Sequence, residues 1–171
     1  MERTRRERTL DDIKGKDKKK ILFVCLGNIC RSPAAEGVLQ NLVEESGATS
    51  SWEIDSAGTG GWHVGELPDK RMRIHAAKRG LELNHHCRRV SRSDFDDFDL
   101  IIGMDSMNIS DLKSLAPTME AEEKIFPMAY FVDKAMRYDH IPDPYYEGAQ
   151  GFELVLDLLQ NGCENLYNRL K

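Results

Sequence analysis

Four consecutive apolar residues, Ile21-Leu22-Phe23-Val24, are entered from a lysine cluster and left through Cys25-Leu26-Gly27-Asn28. That run constrains the fold more than any other feature. It reads as a buried strand, because a half-solvated strand would alternate apolar with polar residues. From Ser32 the pattern becomes Ser32-Pro33-Ala34-Ala35-Glu36, with Ser placed to cap, Pro at the first helical position and an acid in the first turn. This predicts a helix running to about Glu45 and ended by Gly47. Further along, Trp52 to Asp55 predicts a second strand, followed by the Gly-rich loop Ser56-Ala57-Gly58-Thr59-Gly60-Gly61. A helix from about Asp69 to Arg79 stops at Gly80. Phe98 to Met104 predicts a third strand, Ser106 to Leu115 a helix, and Lys124 to Phe126 a short fourth strand. Between Gly151 and Leu170, Phe152, Val155, Leu156, Leu159 and Leu166 recur at helical spacing. Strands alternating with helices imply an α/β fold: a single doubly wound, mostly parallel four-stranded sheet with helices on both faces. In such sheets ligands sit at the carboxyl ends of strands, where Cys25 falls.

The chain has 171 residues and four cysteines, which suits one domain with a core that needs no disulfides. No apolar run approaches the roughly 20 residues that span a bilayer, and MERTRRERTL lacks the apolar stretch of a signal peptide. A cytoplasmic protein with free thiols is the resulting expectation. Charge is uneven: residues 1–20 hold nine Lys/Arg against five Asp/Glu, which leaves 15 against 24 for the body. An acidic body excludes broad nucleic-acid binding, which needs a positive face. The basic segment 1–20 lacks apolar periodicity and reads as a disordered tail, either simply solvated or an electrostatic docking arm, with the domain occupying 21–171.

The octet Cys25-Leu26-Gly27-Asn28-Ile29-Cys30-Arg31-Ser32 lies between the first strand and the first helix of the body. Its bare spacing, C-x5-R, would arise by chance about 0.3 times in such a chain, so the setting supplies the specificity. A strand end, Gly and Asn for tight or positive-φ backbone, and a helix start make a loop whose N–H groups converge on one point. Such a loop binds a tetrahedral oxyanion. Loop amides, helix N-terminus and Arg31 all favour a thiolate, making Cys25 the candidate nucleophile. Arg31 offers a planar fork of donors for two phosphoryl oxygens.

This octet, followed by Ser-Pro-Ala-Ala-Glu, resembles the low-molecular-weight protein tyrosine phosphatases. The resemblance extends through Asp55-Ser56-Ala57-Gly58-Thr59, Phe98-Asp99-Leu100-Ile101-Ile102 with Met104-Asp105, and Asp143-Pro144-Tyr145-Tyr146. It implies that Cys25 becomes phosphorylated in a covalent intermediate, that Arg31 and the loop residues Leu26 to Cys30 bind phosphate, and that Asp143 is the general acid. A leaving phenolate does benefit from a proton at the departing oxygen. The resemblance further implies phosphotyrosine-containing proteins or peptides as substrates, and inorganic phosphate as product and inhibitor. Asn28, Ser32 and Ser56 match positions that hold the loop in shape, and Ser32 doubles as a helix cap. Where many members complete this network with a His before the Gly that ends the second helix, this chain has Arg79, so no fourth member is assigned.

Trp62, Tyr145 and Tyr146 match the walls of the substrate crevice, and an aromatic slot suits the long reach of phosphotyrosine; the tyrosine pair reads otherwise as core or interface aromatics. Cys30 stands either as the partner of Cys25 in a reversible redox switch or as a packing residue, while Cys87 and Cys163 read as structural. None of the five histidines has metal-ligand spacing with the cysteines, so neither metal nor cofactor is expected, and a monomer is. Two rival activities are disfavoured. A thioredoxin-coupled arsenate reductase needs two relay cysteines after the second helix, where only Cys87 lies. A non-catalytic phosphotyrosine-binding module would have lost Cys25 or Asp143.

Overall fold

The computed structural model of the protein describes residues 3–171. Four strands, β1 (Lys19–Cys25), β2 (Trp52–Gly58), β3 (Leu100–Gly103) and β4 (Ile125–Pro127), form one sheet in the order β2-β1-β3-β4 with every pairing parallel. The order puts β1 at the centre, so its carboxyl end at Cys25 lies between the ends of β2 and β3. The helices are α1 (Arg5–Lys14), α2 (Arg31–Glu45), α3 (Lys70–Ala77), α4 (Asp94–Asp97), α5 (Ser106–Leu115), α6 (Met119–Glu122) and α7 (Ala149–Leu170).

The apolar run works as a doubly buried strand. Ile21 and Phe23 point into one core with Val38 and Leu39 of α2 and Phe152 and Val155 of α7. Leu22 and Val24 point into the other with Phe95 of α4 and Leu112 of α5. Side chains alternate along a strand, so four successive apolar residues serve both faces. Among the described residues no helix is long and apolar enough to cross a membrane.

Several expectations are corrected. The segment expected to be a disordered tail instead forms α1 and starts β1 two residues early, although residues 1 and 2 lie outside the described residues. The helix is built by a capping box. Thr4 accepts from the Glu7 amide at 3.1 Å and the Glu7 carboxylate accepts from the Thr4 amide at 3.1 Å, so two orphan donors are satisfied reciprocally. Leu10 and Ile13, three apart on one face, enter the core that also holds Leu166 and Leu170 of α7. Arg169 of α7 bonds Asp11 at 2.6 Å, and the Arg6 guanidinium lies 5.4 Å from the ring centres of both Phe126 and Tyr130. Two apolar anchors among nine basic residues were too sparse to register as periodicity.

Other differences are local. β2 runs to Gly58, absorbing the first half of the expected Gly-rich loop, because parallel pairing with β1 continues to Cys25↔Gly58. α3 ends at Ala77, two residues before Arg79, while Gly80 takes φ 79°. Ser32 is not the cap of α2: Cys30 holds that position, with no side chain capping the helix.

If α1 belongs to the folded domain, Leu10→Ala should lower the free energy of unfolding by about 2 kcal/mol or more in urea, as expected for a buried Leu. A change within about 0.5 kcal/mol, the range of surface substitutions, would mean that the segment is detached.

Candidate active site

β1 delivers Cys25 to the carboxyl end of the sheet and α2 begins six residues later with Arg31. Between them the chain must reverse in five residues, and Asn28 makes the turn with φ 58°. Asn is one of the few non-Gly residues that tolerates this left-handed backbone. Its side chain is fully buried and its carboxamide uses all four positions. Nδ2 donates to Ser32 Oγ at 2.9 Å and to Ser56 Oγ at 3.0 Å. Oδ1 accepts from the Arg88 amide at 3.0 Å and bonds His85 Nε2 at 2.9 Å. Buried polar groups must be paired, and here one side chain pairs α2, β2 and the segment before α4.

The nucleophile candidate is held within this network. Cys25 Sγ lies 3.0 Å from Ser32 Oγ, and both residues are buried. Ser32, expected to be a cap as well as a loop support, keeps only the second role, since its hydroxyl is committed to Cys25 and Asn28. The first amides of α2 are therefore left without a side-chain cap, and their dipole favours an anion. Close backbone approach completes the frame. The Thr59 amide donates to Cys25 O at 2.9 Å and the Gly60 amide to Leu26 O at 2.8 Å. A Cβ on Gly58 would stand 2.8 Å from Leu26 O and 3.1 Å from the Asn28 nitrogen, so this position has room for glycine only.

Arg31 is buried, and its Nη1 bonds Asp105 Oδ2 at 2.7 Å and Ile141 O at 2.9 Å. Its Nε and Nη2 make no hydrogen bond among the described residues, while Nη2 lies 3.9 Å from Asp143 Oδ2. Burial pulls the guanidinium down, but Cys25, Asp105 and Asp143 together pull it up further, above its ordinary value. Asp105 is itself buried enough to be pushed up, yet the hydrogen bond from Arg31 and amides of α5 hold it below the usual carboxylate range. Asp105 also forms a capping box with Asn108, so it anchors Arg31 and starts α5 at once. Asp143 is half exposed and accepts from the Tyr145 amide at 3.0 Å.

A cleft over the loop is lined by Cys25, Arg31, Trp62, His63, Asp143, Tyr145 and Tyr146, together with Leu26, Gly27, Ile29 and Cys30. The candidate catalytic and crevice residues and every candidate loop residue but Asn28 therefore meet at one place, with the buried Asn28, Ser32 and Ser56 behind it. Trp62 and Tyr146 are 71% and 94% exposed, which suits walls that stack on an incoming group rather than core aromatics. Tyr145 is held by the Arg71 guanidinium, 5.2 Å from its ring centre.

Sequence reasoning missed His85, the fourth member of the network. The residue at the expected position, Arg79, instead binds Glu153, Asp157 and Gln160 around α7. The signal was the alternation in His85-His86-Cys87: His85 reaches Asn28 Oδ1, His86 bonds Gly65 O, and Cys87 donates to Asn28 O at 2.8 Å. Cys87 is buried, as is Cys163, and both thiols are pushed up by burial, Cys87 to about 11. Burial likewise pushes the Cys30 thiol far up, helped by Asp69 and Cys25.

Comparison with known proteins locates this arrangement. Residues 20–171 match the sequence profile of the family described as low molecular weight phosphotyrosine protein phosphatase. The low molecular weight phosphotyrosine protein phosphatase 1 of Drosophila melanogaster is 44% identical over 146 residues, covering 85% of this chain and 92% of that protein. A protein tyrosine phosphatase from Entamoeba histolytica superposes with a TM-score of 0.86 at 42% identity, covering 90% of this chain and 97% of that one. A Drosophila arginine phosphatase superposes at 0.81 with 36% identity, covering 89% and 98%.

Behind the loop, burial pushes the Glu36 carboxyl up to about 7 against the hydrogen bond from Ser56, with Asp55 raising it and Arg88 lowering it. The sign of the linkage follows. The folded state keeps a proton on Glu36 that the unfolded chain releases near 4.5, so this group's contribution to stability declines as pH rises between those values. His85, 3.3 Å from the Glu36 carboxylate, is moved the other way, downward by burial, with Asp55 opposing. Relative to Glu36→Gln, the wild type should lose up to about 3 kcal/mol in urea unfolding between pH 4.5 and about pH 7. A difference that stays constant over that range would contradict this environment for Glu36.

Proposed function

The chain belongs to the low molecular weight phosphotyrosine protein phosphatase family, and from that premise we propose that it hydrolyses phosphotyrosine and aryl phosphates through a phosphocysteine on Cys25. The observation that carries this reading is the grouping of Cys25, Arg31 and Asp143 around one loop, with Ser32 Oγ 3.0 Å from the sulfur and Arg31 Nη2 3.9 Å from the Asp143 carboxylate. In the first step the Cys25 thiolate attacks phosphorus in line with the ester oxygen. The S–P bond forms, the P–O bond breaks, and Asp143 gives its proton to the departing oxygen. Arg31 Nε and Nη2, with the loop amides, hold the equatorial oxygens and oppose the charge that spreads over them. In the second step the Asp143 carboxylate takes a proton from water as its oxygen attacks phosphorus. The S–P bond breaks, inorganic phosphate leaves, and the Ser32 hydroxyl donates to the returning thiolate.

Trp62, Tyr145 and Tyr146 favour an aryl leaving group over phosphoserine, because flat walls at the mouth stack on a phenyl ring. The arginine phosphatase relative makes a guanidinium leaving group the natural comparison, and the same walls would stack on that plane less fully. Activity should therefore be higher on phosphotyrosine peptides than on phosphoarginine. Cys25→Ser should reduce turnover to background, and Asp143→Asn should lower kcat on phosphotyrosine by about 10²–10⁴. The loss should be smaller with p-nitrophenyl phosphate, whose leaving group needs less protonation. Undiminished activity in Cys25→Ser would overturn the mechanism, and preference for phosphoarginine would overturn the substrate class.

Cys30 acts in this reading as the resolving thiol that converts an oxidised Cys25 to a disulfide, protecting it from further oxidation. After peroxide treatment and thiol rescue, wild type should recover activity and Cys30→Ala should not. Equal recovery would leave Cys30 a packing residue.

A further inference from the structure

Glu36 of α2, Asp55 of β2 and His85 of the extended segment after α3 converge behind the loop. His85 Nδ1 lies 3.3 Å from Glu36 Oε1 and 3.3 Å from Asp55 Oδ1, and the three atoms are all within 4.8 Å of one another. A charge-assisted hydrogen bond to either oxygen would run at about 2.7–2.9 Å, so the ring nitrogen sits on neither. Those two spacings match the edge of a tetrahedron with bonds of about 2.0–2.1 Å, which is roughly 3.3 Å, and the Glu36 and Asp55 oxygens lie within 4.8 Å of each other.

We propose that these three residues bind a divalent cation of the zinc class, with a water as fourth ligand. One imidazole and two carboxylates form a donor set suited to a borderline-soft ion. The outer partners of the site are already in place. Arg88 bonds Asp55 through the other oxygen, Oδ2, at 3.0 Å, leaving Oδ1 for the ion, and Ser56 Oγ donates to Glu36 Oε1 at 2.6 Å. A cation on Nδ1 requires the proton on Nε2, the atom 2.9 Å from Asn28 Oδ1, so His85 then donates to Asn28. A polar cavity whose wall includes Glu36, Gln40, Glu44 and His85 gives access to two of the three ligands, while Asp55 opens on a second cavity beside Lys20 and Arg88. The site is separate from the cleft that holds Cys25, and a bound cation braces Asn28 from behind through His85 and Ser56. It adds a stabilising and regulatory ligand to the protein and takes no part in the chemistry at phosphorus.

The ligands come from positions 36, 55 and 85, which is why no motif spacing announces them. The test uses the full chain carrying Cys25→Ser, so that the active-site thiolate cannot capture the metal. Titration calorimetry with Zn²⁺ should give one equivalent bound and a raised melting temperature. Glu36→Gln and Asp55→Asn, each in that background, should weaken binding at least tenfold. Glu36→Gln leaves the Arg88 pairs intact, and keeps the test valid if Asp55→Asn does not fold. Substituted Co²⁺ should show visible bands of a low-coordinate nitrogen and oxygen site without a sulfur-to-cobalt charge-transfer band. Absence of binding, affinity unchanged in both variants, or a sulfur band would each overturn the proposal. None of these readouts depends on phosphatase activity.

Discussion

The Asn28 carboxamide is the constraint on which the remainder of the site depends. A left-handed residue between β1 and α2 lets the chain turn in five residues, and a buried amide at that point is tolerable only with every hydrogen bond made. Ser32, Ser56, Arg88 and His85 supply those bonds from three different parts of the fold. The Cys25 sulfur, the Arg31 guanidinium and the uncapped start of α2 are consequently set relative to one another by packing of the whole sheet. Gly58 makes the same point sterically, since the edge of β2 touches the loop where no Cβ fits.

Charge is arranged locally. The chain carries a formal net charge of −5, which taken as a whole repels a dianionic phosphate ester. Exposed acids farther than a Debye length of about 8 Å are largely screened, however, and the buried Arg31 acts at contact distance. A buried guanidinium is costly unless paired. Asp105 and the Ile141 carbonyl hold one end of it and leave the other toward Asp143 and the cleft. The Asp105 contact also ties the start of α5 to α2, so the electrostatics of the site and the stability of the β3–α5 connection share one bond.

Much of this was legible in the residues. Ile21 to Val24 announced the central strand, α5 was bounded correctly by Ser106 and Leu115, and the octet falls between β1 and α2 with Cys25 and Arg31 on one cleft. What was not legible rests on contacts across the sequence. Nothing local distinguishes Ser32 as a hydroxyl turned toward Cys25 from Ser32 as a helix cap, because both roles ask for a short polar side chain. His85 lies 57 residues from Asn28, so only the fold reveals the bond. The N-terminal helix did carry a local signal, the Thr4-x-x-Glu7 capping box, but the density of basic residues around it read as solvation, and the anchors Leu10 and Ile13 gain meaning only against α7.

The most direct test of the account is the covalent intermediate itself. Wild-type enzyme mixed with a phosphotyrosine substrate, quenched within milliseconds and digested, should yield a peptide phosphorylated on the Cys25 sulfur by mass spectrometry. Asp143→Ala should accumulate that species when it is loaded with a substrate whose leaving group needs no protonation, because the water of the second step then lacks its base. Phosphate on another residue, or turnover with no phosphorylated Cys25 at any quench time, would contradict the account.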